Sequence, residues 1–225
     1  MSRPADPTLR ERLIAAATAE FAASGYSGAT LDAIAARADV TKGGLYFHFA
    51  GKEELFFSVL DHWRERRRRE LQVQGPGEGG AAAALREFLA GYLRFHLREP
   101  AATHLLRVLA TELRGRFTAR LREDDRQEQR WFRARVRELL ELGVRDGSLV
   151  AEDPASAAFV LCGAILGILL QWHTAADDVE MHCDERVLAE HLVAGYATGG
   201  GAAGGSRGEV VGDSEFDFRP ARDSE

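Results

Sequence analysis

The sequence has only two cysteines, Cys162 in an apolar run and Cys183 in a polar one. Two thiols so placed build no disulfide framework, which excludes a small disulfide-held scaffold and gives no sign of a redox centre. No run of about 18 apolar residues is evident, so no membrane span is expected. The opening segment MSRPADPTLRERL has no apolar stretch after its arginine, so no signal peptide is expected and the protein is expected in the cytoplasm. Runs that alternate apolar and polar residues are missing as well, which excludes half-buried strands and leaves an all-α protein. An overall excess of positive charge is also lacking. The net charge is -6, although residues 1–70 carry 11 Lys and Arg against 10 Asp and Glu while the remainder carries 18 against 25. General polyanion binding is therefore excluded, and a local contact in the first third is not. No nucleophile–base set is spaced for catalysis. His182 and Cys183 with His173 or His191 are the best metal candidates, but adjacent ligands seldom reach one tetrahedral ion, so neither metal nor cofactor is expected.

What is present is helical periodicity. Leu9, Leu13, Ala17 and Phe21 form one apolar stripe, which SGYSG stops at Ser24-Gly25. Thr30 is placed to cap a second helix through Ala38, with Leu31, Ile34 and Ala35 facing inward. A break at Asp39-Val40-Thr41 leads to a short helix from Lys42 to Phe47, and a longer one starts at Lys52. The stretch QVQGPGEGG, Gln72 to Gly80, is a breaker-rich connector. Its glycines match G-x-G-x-x-G, but no strand precedes them and Pro76 interrupts them, so it reads as a linker. Five more helices follow, over about 82–97, 101–114, 118–145, 154–173 and 184–197. After Thr198 a glycine-rich, acidic tail is too poor in apolar residues to order itself.

Two short helices joined by a tight turn, with small Ala35 and Ala36 at the crossing, make a helix-turn-helix whose second helix enters a major groove. Gly43 and Gly44 then allow the backbone to approach a phosphate or base edge closely. Lys42 adds charge at that end, and Tyr46 and His48 are amphipathic rings able to reach DNA. Phe47 and Phe49 are expected to anchor the short helix. Thr30, Thr41 and Lys52 complete the expected DNA-contacting set, Lys52 by clamping another phosphate. RERRRR, Arg64 to Arg69, is expected to be a solvated helix end that complements the helix dipole.

FAASGY, TLDAIA, ADVTKGGLYFHF and KEEL, spread over Leu9 to Phe57, together resemble the tetracycline-repressor (TetR) family of bacterial transcription regulators. One departure is Asp39, which stands where that family has a turn glycine and tolerates a left-handed conformation better than most residues. The resemblance implies an amino-terminal helix-turn-helix DNA-binding domain over 1–53, a helical ligand-binding and dimerisation domain over 54–198, and a tail over 199–225. It implies a homodimer on a palindromic operator in double-stranded DNA, released by a small-molecule inducer, with no membrane partner. A ligand-insensitive DNA-binding protein, an activator, and a helical enzyme are the competing classes.

Ala157 to Leu170 is apolar all round, so a partner subunit is expected to complete its cover, aided by Gly163 and Gly167. A charge at Ile165 or Leu169 is expected to break the dimer. Phe132, Val136, Leu139, Leu140 and Gly143 form the inward stripe of the long helix. Trp131 and Arg135 on its flank are the expected pocket residues, together with Phe159, Cys162, Leu166, Trp172 and Arg107. Arg94, Arg107, Arg114 and Arg135 suit an anionic or acyl-type ligand, as in family members that sense acyl-coenzyme A thioesters.

Overall fold

The computed structural model describes residues 7–71, 79–112, 119–174 and 184–198. The connector over 72–78, Arg114, His182, Cys183, the side chain of His173 and the tail from 199 lie outside the described residues, and so do the expectations attached to them. The described residues form α1 (Pro7–Gly28), α2 (Leu31–Arg37), α3 (Lys42–His48), α4 (Lys52–Glu70), α5 (Gly80–Arg98), α6 (Pro100–Thr111), α7 (Ala119–Asp146), α8 (Pro154–Thr174) and α9 (Glu185–Ala194). Among them the one extended pairing is an isolated bridge between Leu149 and Ala197.

Local chemistry sets most helix ends. Gly25, at φ 67° and ψ 179°, kinks α1 where the stripe from Leu13 to Phe21 ends. Thr30 accepts from the Ala33 amide at 3.1 Å and Thr41 from the Gly44 amide at 3.1 Å, so both threonines are N-caps. Asp39 takes the left-handed turn between them at φ 53°, the only positive φ outside glycine among the described residues. The carbonyls of Ala38 and Asp39 both receive the Arg12 guanidinium, which braces the turn from α1. Asp153 and Asp184 cap α8 and α9.

Two cores result. The first gathers Leu13, Ala17 and Phe21 of α1, Ile34 of α2, Leu45 of α3 and Phe49 with Leu55, Phe56, Val59 and Leu60 of α4. It also takes in Leu105 and Val108 of α6, so this core runs past residue 53 and borrows a helix from the second half. The second core is built from α5, α7, α8 and α9 around Phe88, Leu93, Val136, Leu139, Leu161 and Ile165. α6 sits between the two.

The segment Pro154–Trp172 corrects the expectation that no stretch is apolar enough to span a bilayer: it has the length, and a mean hydropathy of 1.9. Ala158, Leu161, Ile165 and Leu169 face the second core, while Phe159, Val160 and Leu170 are exposed. Ile165 and Leu169 therefore pack inside the subunit, and the uncovered stripe of α8 is a different one. Helical spacing makes such a change of face between neighbouring residues unavoidable, since each step turns the side chain by about 100°.

Candidate functional site

α3 carries the first candidate site. Leu45 is fully buried and pins the helix to the first core, which leaves its other faces open. Tyr46 is 49% exposed. A Cβ on Gly43 would meet nothing nearer than the Thr41 hydroxyl at 3.9 Å, so the backbone here is bare to any approaching surface. The Lys42 ammonium lies 2.8 Å from Asp32 with both side chains more than half exposed. That hydrogen bond and charge raise the lysine pKa and keep it cationic.

Phe47 and Lys52 depart from expectation. Phe47 is 57% exposed and does not anchor the helix; Phe49, at 2%, does. The Phe47 ring meets His48 edge-on at 5.4 Å, and His48, half-buried, lies 6.4 Å from Phe49. Lys52 turns inward: its ammonium donates to the carbonyls of Ala29 at 2.7 Å and Ser27 at 3.3 Å and sits over the Tyr26 ring. Burial lowers its pKa against the charge of Glu112. It ties the end of α1 to the start of α4, where free carbonyls attract a cation.

The second candidate site is a cavity of about 270 Å³ walled by α4, α5, α6, α7 and α8. Leu60 and Trp63 enter from α4, Leu105 and Leu106 from α6, Phe132 from α7 and Leu166 from α8. Phe159 and Cys162 also line it, whereas Trp131, Arg135, Trp172 and Arg107 do not. Trp131 packs edge-on against Phe88 at 6.2 Å beneath the Arg68 guanidinium. Arg135 pairs with Glu138 at 2.7 Å, Arg107 bonds to His104, and Trp172 stands half-buried at the far end of α8. The reason is helical phase. Phe132 shares its stripe on α7 with Glu128, one turn earlier, and Gln129 and Arg133 flank it on the cavity side, so the position after Trp131 points inward.

The arginine run 64–69 is a polar seam rather than a solvated end. Arg67 is 3% exposed. One carboxylate, Glu128 on α7, receives both Arg67 and Arg68, while Arg66 reaches Glu99 and Arg64 lies 3.4 Å from Asp61. Arg67 also stacks over the Tyr92 ring at 4.9 Å and contacts His96 Nε2 at 3.3 Å. The Thr103 hydroxyl donates to the His96 carbonyl at 2.8 Å, so its oxygen is free to accept from His96 Nδ1–H at 3.2 Å. This leaves the Nε2 lone pair to accept from Arg67, and the imidazole is neutral. Burial, with the Arg67 charge, lowers its pKa to about 3. Burial pushes the Cys162 thiol up to about 11, so it too is uncharged. Arg67, Tyr92, His96 and Glu128 escaped the sequence reading, although polar residues on otherwise inward stripes mark them: Leu60, Trp63, Arg64 and Arg67 follow one face of α4.

Gly25 and Ser27 meet a further contact from the second half. The Ser27 amide donates to Glu112, just past the end of α6, at 3.2 Å. A Cβ on Gly25 would fall 2.2 Å from the same carboxylate, the movable end of a side chain, so the positive φ of 67° rather than this contact calls for glycine. Among the described residues no cluster of three or more His, Cys, Asp or Glu is placed to hold a metal ion.

Comparison with known proteins gives consistent matches at both ends of the chain. The family described as bacterial regulatory proteins, tetR family, matches residues 13–59, and tetracyclin repressor-like, C-terminal domain, matches 78–176. The HTH-type transcriptional repressor SCO4008 of Streptomyces coelicolor is 32% identical over 146 residues, 64% of this chain and 71% of that protein. The HTH-type transcriptional regulator YhgD of Bacillus subtilis is 23% identical over 193 residues, 84% of this chain and 96% of that one. Among solved structures, a SmeT–triclosan complex superposes with a TM-score of 0.72 at 22% identity, covering 92% of this chain and all of the other (100%). SmeT is described as the repressor of the Stenotrophomonas maltophilia multidrug efflux pump SmeDEF. A TetR-like regulator from Rhodococcus sp. RHA1 follows at 0.67 and 21%, covering 85% and 96%. At these identities the structural likenesses establish the fold.

Proposed function

The chain belongs to the tetR family of bacterial regulatory proteins, transcription regulators rather than enzymes, and from that premise we propose a dimeric cytoplasmic repressor that leaves a palindromic operator when a small molecule fills the cavity. One observation carries the reading. Leu60 and Leu105 belong to the core of the helix-turn-helix unit and to the cavity wall at once. An occupant that moves either residue moves the support of α3, because a close-packed core transmits displacement instead of absorbing it. Thr30 and Thr41 hold the two short helices by their caps, and Lys42, Gly43, Gly44, Tyr46 and His48 form the face offered to DNA. Lys52 acts from behind that face.

The dimer rests on the exposed stripe of α8 and α9. Phe159, Val160, Leu170 and Val187 are 64%, 59%, 43% and 51% exposed, and the backbone at Gly163 and Gly167 is uncovered beside them. An apolar patch of this kind on neighbouring helices calls for a partner. Two copies related by a twofold axis present two recognition helices to successive major grooves, about 34 to 36 Å apart.

The SmeT complex with triclosan favours effector control in this fold over ligand-insensitive binding. Cys162→Phe fills the cavity without any ligand and serves as the test. With helicity and dimer intact, its operator affinity should fall about 5- to 150-fold, the range of a 1 to 3 kcal/mol coupling, while Cys162→Ala should keep wild-type affinity. A folded Cys162→Phe dimer with wild-type operator affinity refutes the reading. Selection from random DNA should recover inverted repeats, and unrelated sequences would refute the symmetric dimer.

A further inference from the structure

We propose that the effector is a compact amphipathic carboxylate, an apolar ring or short chain ending in one anionic head that seats on Arg133 and the adjoining Arg67 wall. The inference rests on the proposed role of the cavity as the effector site, and it names the chemistry that the site admits.

Charge comes first. Among the described residues, Arg64, Arg67 and Arg133 line the cavity against a single carboxylate, Glu128. Both oxygens of Glu128 are already engaged by Arg67 and Arg68, and Asp61, the partner of Arg64, is itself 53% exposed. His96 and Cys162 contribute no charge, since burial holds one unprotonated and the other protonated. Among the described residues the wall is net positive, and a cation entering it meets the Arg133 guanidinium, which has no ion-pair partner among them, in a medium that screens it weakly.

Unused donors come second. The Arg67 and Arg133 Nε–H groups are buried without a partner, and Arg67 is 97% buried by its 3% exposure. Arg133 makes no ion pair among the described residues. Its guanidinium lies over the Phe159 ring at 5.3 Å, and both residues line the cavity. A planar fork held against an aromatic face presents its donors to one planar acceptor, which is the geometry a carboxylate matches and an ammonium or a simple alcohol does not. The rest of the lining, with Trp63, Leu105, Leu106, Phe132 and Leu166, takes an apolar body.

Size comes third. About 270 Å³ is roughly the share of nine waters in the liquid. That volume encloses one or two rings or a chain of moderate length, and the nucleotide and pantetheine arm of a coenzyme A thioester would lie outside it. Of the arginines that suggested such a ligand, Arg94 pairs with Glu87 and Glu185 and Arg135 with Glu138.

Two matched series on the full-length protein test the proposal, each holding the apolar body constant: 4-phenylbutyrate, 4-phenylbutyramide and 4-phenylbutylammonium, and octanoate, octanamide and octylammonium. Calorimetry and Trp63 fluorescence report binding, the latter compared with Trp63→Phe. The carboxylate of at least one series should bind at least tenfold more tightly than its amide, with the ammonium weakest. Arg133→Met should erase that preference while leaving amide binding unchanged, and Arg133→Lys should restore part of it. Equal or tighter binding of amide or ammonium, an undiminished preference in Arg133→Met, or no binding by either carboxylate overturns the proposal. Operator release is scored separately in the same samples. Carboxylate binding without loss of DNA affinity leaves this assignment standing and refutes effector release. A neutral or cationic compound that binds the cavity and releases DNA does the reverse.

Discussion

Replacing Glu128 by glutamine removes the only carboxylate among the described residues that neutralises Arg67, with almost no change in shape. Arg67 is 3% exposed, so the variant leaves a buried guanidinium whose remaining hydrogen bond goes to the neutral His96. Breaking a buried pair from one side costs about 3 to 5 kcal/mol. The second arginine on Glu128 changes this little, because the Arg68 side chain is 42% exposed and its pair is worth at most about 1 kcal/mol. For a chain of this size each kcal/mol moves the midpoint by about 2 to 4 °C, so thermal denaturation at fixed protein concentration should show a fall of roughly 10 °C. The double variant Arg67→Met with Glu128→Leu should recover most of that loss, since two apolar side chains of similar bulk need no compensation. A shift of Glu128→Gln within about 1 kcal/mol of wild type, or a double variant whose cost is the sum of the singles, would refute the seam as the joint between α4 and α7.

Two further outcomes separate the faces and charges described above. Val160→Glu adds a charge at a position 59% exposed in the subunit, so it should dissociate the dimer in sedimentation while the subunit keeps its helicity; Ile165→Asp, at a fully buried position, should unfold the subunit itself, and an intact Val160→Glu dimer would displace the interface from α8. His96 has a folded pKa of about 3 against an ordinary 6.5, so its contribution is fully present above pH 6.5 and is lost as pH falls, by about 2 kcal/mol at pH 5. His96→Gln should flatten this part of the stability profile in denaturant titrations at each pH, and an unchanged slope would contradict the neutral buried imidazole.

Helix positions were legible in the sequence because their causes are local. Thr30 and Thr41 cap through amides three residues away, Gly25 breaks its helix through its own φ, and Pro100 and Pro154 begin helices where no amide is needed. The helix-turn-helix was equally legible, since its glycines, aromatic residues and caps lie within about twenty consecutive positions. Even Asp39 in the place of a turn glycine keeps the left-handed backbone, because a short polar side chain accepts it. Partner choice was not local. Arg67 meets Glu128 across 61 positions and Ser27 meets Glu112 across 85, distances over which periodicity carries no information. Periodicity also fixes which residues share a stripe without saying what lies opposite, so Phe132 is core as expected but also lines the cavity that Trp131 does not reach, and Ile165 and Leu169 went to the subunit's core while Phe159 and Val160 were left outside. The arginines show the limit most clearly. A run of charge is stable in water and equally stable in a buried seam that supplies carboxylates, and only the tertiary contacts of α4 with α5, α6 and α7 decide between the two.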